Sequence, residues 1–202
     1  IYLCYDNELI KQLSLDTSIT SLEGFLFPDT YILLKSYTER DIIKILINQY
    51  KKEFNSIKPD NALLDEYDTI TLASIIQAES RYKTDMDTIA SVFYNRLNNK
   101  EYLRLEADPT IQYLLPKPKE RLMYKDIFDD YKDSPYNTYT HEGLPPTPIN
   151  NPGLDAINAT LYPPDTDYYF FVADGKGKHT FSRSIKEHNR AKAKYNASRK
   201  SK

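Results

Sequence analysis

Apolar residues recur along most of the chain at helical spacing. In "TERDIIKILINQYKKEF", Ile42, Ile43, Leu46, Ile47 and Tyr50 fall on one stripe, and Thr38 with Asp41 three residues on marks a helix start. "DTITLASIIQAES" predicts a second helix. "TDMDTIASVFYNRLNN" predicts a third, with Met86, Ile89, Ala90, Phe93 and Leu97 in register, and the short polar turn between the two predicts an antiparallel pair. Asp108 followed by Pro109 in "ADPTIQYLL" reads as a cap and a first-turn proline. Pro152 opens a helix with Leu154, Ile157 and Leu161 inward, and Ser184 starts a last one, "IKEHNRAKAKY". Strand signals are fewer. "LEGFLFPDTYILL" alternates and reads as a loop into a strand, while "YYFFVAD", a turn at "GKGK" and "HTFS" read as a β-hairpin. This order predicts an α+β fold, a helix-rich domain with a late β-hairpin and a small mixed sheet, rather than a regular parallel α/β sheet.

Between the helices lies "SPYNTYTHEGLPPTPINNPG", dense in Pro, Gly, Asn and Thr. An ordered loop of this length without its own secondary structure is commonly functional. The chain of 202 residues, 40% hydrophobic and 28% charged, suits one sizeable domain or one domain with a small appendage. A net charge of −2 gives no electrostatic reason to expect nucleic acid as a partner. Cys4 is the single cysteine, which excludes an internal disulfide or a thiolate metal cluster. His141, His179 and His188 lack metal-ligand spacing, and there is no nucleophile elbow or phosphate loop, so neither metal nor cofactor is expected. The 18 tyrosines offer flat faces with a hydroxyl, which suit sugars and equally suit ordinary half-buried sites. No apolar run approaches the length of a membrane span. The chain begins at Ile1 rather than Met and is read as a fragment, which leaves room for a targeting or anchor segment upstream.

The sharpest anomaly is Glu79. Leu72, Ile75, Ile76 and Glu79 share a helical face, so the carboxyl projects from the stripe expected to meet the core. Desolvation there penalises the ionised form and would hold a proton near neutral pH, as a general acid in glycoside cleavage requires. The same spacing fits a helix that ends near Glu79, with the carboxylate at the rim of the core paired to Arg81 or Arg96. Periodicity leaves both readings open. Asp85, Asp87, Glu106 and Asp108 are the possible partner carboxylates; Asp85 and Asp108 read as helix caps.

Eight stretches together carry a resemblance: "LEGFLFPDTY", "LASIIQAES", "IASVFYNRL", "ADPTIQY", "SPYNTY", "GLPPTPINNPG", "YYFFVADGKGKHTFS" and "EHNRA". In this order the chain resembles the YceG-like family, the MltG-type endolytic murein transglycosylases, from about Leu22 to Ala191. The resemblance implies a bacterial envelope enzyme, anchored in the cytoplasmic membrane by one N-terminal helix with its catalytic part outside. Its reaction would cut the MurNAc-β-1,4-GlcNAc bond of peptidoglycan, form 1,6-anhydro-MurNAc ends and terminate strands beside penicillin-binding synthases. It makes Glu79 the catalytic acid and base, makes residues 22–202 the catalytic domain, and leaves residues 1–21 as a remnant of a LysM-like subdomain. Tyr136, Asn137, Thr138 and Tyr139 in the ordered loop are then candidates for substrate contact or for shaping the cleft. Asn95 and Arg96 join them, Arg96 either orienting Glu79 or meeting a peptide-stem carboxylate. Gln77 stands where some members carry an acid; it can hydrogen-bond but cannot serve as a second acid. Leu114 stands where the family often has glycine. A hydrolytic muramidase and a non-catalytic peptidoglycan-binding scaffold remain the alternatives.

Overall fold

The structure, a computed structural model, describes residues 2–13, 19–80 and 82–200. Its axis is helix α3 (Glu66–Glu79), in which every residue from Thr69 to Ile76 is buried. A helix apolar on one stripe leaves its other side to solvent; one covered on every side needs neighbours all round. Those neighbours are α4 (Lys83–Leu97), which runs back as the predicted antiparallel partner, α5 (Asp108–Leu114), α6 (Leu154–Leu161) and the proline-rich loop before α6. Ser74 shows how that loop attaches: its Oγ accepts from the Ile149 N–H at 3.0 Å, and its carbonyl accepts from Asn150 Nδ2 at 2.7 Å. Helix α2 (Glu39–Ile57) starts with the capping box of Thr38 and Asp41 and brings Tyr50 edge-on to Phe25, with ring centroids 5.1 Å apart.

A short N-terminal helix α1 (Asn7–Ile10) is capped by Asp6 and seats Leu9 in the core. Asp6 also pairs with Arg40 of α2, and Cys4 accepts the Leu22 N–H through its carbonyl at 2.8 Å. Of the segment read as a LysM-like remnant, residues 1 and 14–18 lie outside the described residues.

The strand expected after Leu22 does not form. Its backbone finds a side chain instead of a partner strand: the Gly24 and Leu26 N–H groups donate to Asn151 Oδ1 at 2.9 and 3.1 Å. Gly24 has φ +95°, and a Cβ there would lie 2.5 Å from Cγ of Pro148, so the close approach of the two segments requires glycine. The sheet is therefore not mixed. Among the described residues it is one antiparallel hairpin, β1 (Phe170–Ala173) with β2 (His179–Ser182), Phe170 opposite Ser182 and Ala173 opposite His179. Asp174 shapes the turn, its carboxylate accepting from the Lys176 and Lys178 N–H groups. Helix α7 (Ile185–Lys200) packs on this hairpin. In α6 the buried face runs through Ala156, Ile157 and Leu161, and Leu154, expected inward, is exposed in the first turn behind the Gly153 cap.

Replacing Asn151 by alanine strands two part-buried N–H groups. Asn151→Ala is expected to lower the unfolding free energy by about 2–4 kcal/mol, read as a lower urea midpoint at unchanged slope.

Candidate active site

Helix α3 stops at Glu79 because Ser80 turns extended (φ −137°, ψ 146°) and its Oγ accepts the Tyr82 N–H at 3.1 Å. Glu79 is thus the last residue of a helix enclosed from Thr69 to Ile76, half-buried on the wall of a cleft of about 460 Å³. Segment 105–108, β1, His179 and α7 supply the rest of the lining, with Arg96 and Tyr139. Burial first, and the negative charge of Asp108 second, push the Glu79 carboxyl up to about 8. The C-terminal end of the α3 dipole acts in the same sense. Among the described residues no hydrogen-bond donor reaches this carboxyl, so none of them offsets its partial loss of water. Arg81, one of the two pairing candidates, lies outside the described residues. The other, Arg96, is committed elsewhere.

Arg96 is a buried strut. Its Nε donates to the Tyr169 carbonyl at 2.8 Å, and its Nη1 donates to the carbonyls of Arg104 and Leu105 and to Glu106 Oε2 at 3.1 Å. The guanidinium also lies over the Phe170 ring, 5.2 Å from its centroid. One side chain thereby ties α4 both to β1 and to the segment carrying Glu106 and Asp108. Glu106 itself sits at φ +51°, a left-handed conformation that non-glycine residues adopt at some cost. Thr138 holds it there. The Thr138 carbonyl accepts from the Glu106 N–H at 3.0 Å, and its Oγ1 accepts from the Ala107 N–H at 3.0 Å and meets Thr110 Oγ1 at 2.9 Å.

The clamp sets Asp108 in place. Asp108 is not the cap of α5; Ala107 holds that position, and the Asp108 side chain instead accepts the Tyr139 hydroxyl. Burial and the Asp108 charge raise the Tyr139 pKa, so its hydroxyl stays a donor. Asp85 is not a cap either. It lies in the first turn of α4 behind the Tyr82 cap and accepts the His179 N–H at 2.8 Å, with His179 Nδ1 at 2.9 Å from the same oxygen. That contact pins β2 to α4.

Of the residues singled out in the sequence, Glu79, Arg96 and Tyr139 line one cleft. Glu106, Asp108, His179 and His188 line it too, whereas Gln77, Asn95, Tyr136, Asn137 and Thr138 do not. Asn137 is fully buried, its amide donating to the carbonyls of Ile127 and Tyr131 and its oxygen accepting from the Tyr139 N–H. Asn95 donates to the carbonyls of Thr166 and Tyr168, and Gln77 accepts from the Gly153 N–H. Tyr136 bonds Thr147 through its hydroxyl and packs against Tyr113. The sequence reading named Asp108 among the possible partners of Glu79 but missed that its side chain is free of the helix cap and acts on Glu79. It also missed the α7 face of Ile185, His188, Asn189 and Lys192, visible as residues three, four and seven apart in the last helix.

The chain belongs to the YceG-like family, whose model matches residues 4–194. It is 43% identical over 185 residues to a protein of Bacillus subtilis (strain 168) named endolytic murein transglycosylase, covering 90% of this chain and 50% of that one. It is 34% identical over 181 residues to a protein of the same name from Streptococcus pneumoniae serotype 2, covering 86% of this chain and 32% of that one. The chain thus spans half or less of the length of these relatives. A crystal structure of a yceG-like protein from Listeria monocytogenes superposes with a TM-score of 0.74 at 35% identity, over 93% of this chain and 64% of that one.

The raised Glu79 pKa fixes the sign of a stability effect. Below about 4.5, the ordinary value of a glutamate, the carboxyl is protonated folded or unfolded; as pH climbs towards 8 only the unfolded chain releases the proton freely, so stability falls. Glu79→Gln is therefore expected to match the wild type near pH 4 and to exceed it by about 1–3 kcal/mol near pH 9, in urea titrations across that range. Asp108→Asn is expected to move the Glu79 titration, followed by carboxyl-carbon NMR, to lower pH while burial keeps it above an ordinary glutamate. An unmoved titration would remove Asp108 from the account.

Proposed function

We propose that the protein is a lytic transglycosylase that cuts the MurNAc-β-1,4-GlcNAc bond inside peptidoglycan strands, leaves 1,6-anhydro-MurNAc ends and so terminates strands. The observation that carries this reading is Glu79, a carboxyl that holds its proton near neutral pH on the wall of a cleft. The names borne by the two relatives support the substrate class.

Protonated Glu79 donates to the glycosidic oxygen, and the bond to C1 of the muramic sugar breaks with an oxocarbenium-like charge at C1. The acetamido oxygen of the same sugar stabilises that charge, so no protein nucleophile is needed. Glu79, now ionised, takes the proton of the C6 hydroxyl as its oxygen bonds to C1, which closes the anhydro ring and restores the acid. The internal attack is effectively unimolecular and outruns water. Asp108 repels the ionised form of Glu79 and favours return of the proton. Leu105, Phe170, Phe171 and Val172 give the cleft an apolar wall suited to sugar faces and to excluding water. In this reading Tyr139 faces the strand, Arg96 holds the acidic segment and the start of β1 in place, and Gln77, Asn95, Tyr136, Asn137 and Thr138 shape the cleft from behind.

One observation favours a second reading. Asp108 lies near enough to act on Glu79, and a second carboxylate is what a hydrolytic muramidase uses to activate water. Its engagement with the Tyr139 hydroxyl weighs against that role. Because peptidoglycan lies outside the cytoplasmic membrane, the proposal places the domain on the outer face; no helix of the described residues is long and apolar enough to cross a membrane.

Mass spectrometry of purified strands after digestion decides among these readings. Anhydro ends, one water lighter than hydrolysed ends, are expected from the wild type, with Glu79→Gln slower by about 10²–10⁴-fold while its fold is retained. Reducing ends would establish hydrolysis, and full activity of Glu79→Gln would take the acid role from Glu79.

A further inference from the structure

The proposed chemistry uses Glu79 and Asp108 and leaves one wall of the cleft without a role. That wall is α7. Ile185, His188, Asn189 and Lys192 share one face of the helix, and all four line the cleft. The cationic groups there differ in what they are free to do. Arg96 is buried, with its charge matched by Glu106 and its donors spent on three backbone carbonyls. His188 rests on the Phe170 ring, centroids 5.3 Å apart, and its Nδ1 is buried without a hydrogen-bond partner among the described residues. Burial first, then the nearby charges of Lys192 and Arg96, lower its pKa, so it adds no charge near neutral pH. Lys192 is exposed and makes no ion pair among the described residues. The adjoining hollow shares Ala173 with the cleft and is lined by Lys176 and Lys194 with Asp174, whose carboxylate accepts from the Lys176 and Lys178 N–H groups of the hairpin turn, so two lysines against one acid lie beside Lys192.

We propose that this α7 face binds a carboxylate on the peptide stem of the strand, Lys192 supplying the charge and Asn189 a hydrogen bond. The inference rests on the reading of the cleft as a peptidoglycan site and adds how the strand is chosen and oriented. The sugar backbone presents hydroxyls and acetamides, which an ammonium does not select, whereas the stem carries carboxylates. An ammonium on a long flexible stem suits a mobile peptide better than a fixed fork would. Stem capture on the α7 wall would turn the muramic sugar in one sense across the cleft, with C1 towards Glu79.

Binding rather than turnover tests this, so that the result stands apart from the chemistry. Soluble uncrosslinked strands with free stem carboxylates are compared with the same strands after conversion of those carboxylates to carboxamides. Titration calorimetry at low salt uses Glu79→Gln, which leaves the strands uncut. The acidic strands are expected to bind about tenfold tighter than the amidated ones. Adding Lys192→Gln should abolish that ratio, adding Lys192→Arg should keep most of it, and salt should shrink it. Because Lys192 is exposed, these changes spare the core, and unchanged thermal midpoints confirm it. Equal binding of both strands, or a preference that survives Lys192→Gln, overturns this inference alone. Binding of neither strand overturns the proposed function with it.

Discussion

A half-buried carboxyl group with no hydrogen-bond donor among the described residues governs this structure. Glu79 is placed by α3, and α3 can end in such a position because its stretch from Thr69 to Ile76 is covered all round: by α4, α5 and α6 through packing, and by the proline-rich loop through hydrogen bonds to Ser74 and Gln77. Given that enclosure, desolvation decides the protonation state, and the Asp108 charge and the α3 dipole push the same way. Two acids in one cleft are thereby driven into different roles. Glu79 keeps its proton without a donor, and Asp108 is held by the Tyr139 hydroxyl.

Much of this could be read from the chain, and what could not has a common cause. The capping box of α2, the antiparallel α3–α4 pair, the hairpin and the ordered loop were legible because each is written in local spacing or turn chemistry. The position of Glu79 was legible from helical period and supported by family resemblance. Failures came where a long-range partner overrode the local signal. "LEGFLFPDTYILL" has strand-like alternation, but its N–H groups are taken by Asn151, more than a hundred residues away. Asp85 and Asp108 look like caps and lie near helix starts, yet His179 and Tyr139 claim their carboxylates. Asn137 and Asn95 look like polar residues free for a ligand, yet their amides close backbone carbonyls inside the fold. A short polar side chain in one sequence shows what it can bond, not which distant group arrives first.

The residues behind the cleft matter as much as those in it, because the control of Glu79 depends on distance. Two unit charges about 5 Å apart repel by roughly 3 kcal/mol at an effective dielectric of about 20, and the repulsion falls as they separate. A floppy Asp108 would lose its hold on the Glu79 proton. The structure fixes it from two directions: Thr138 clamps the backbone at Glu106 and Ala107, and Arg96 binds the carbonyls just before them. The positive φ of Glu106 follows from the same demand. The chain must turn sharply there to present Glu106 to Arg96 and Asp108 to Tyr139 within three residues, and the clamps offset the strain. Arg96 also holds the start of β1, so the apolar wall and the acidic segment are positioned by one guanidinium. A lysine at that position has one nitrogen and no planar fork, and could not bind both sides at once. The arginine beside the glutamate in this cleft therefore acts at one remove, fixing the segment whose Asp108 charge adds to desolvation in raising the Glu79 pKa, instead of pairing with Glu79 itself.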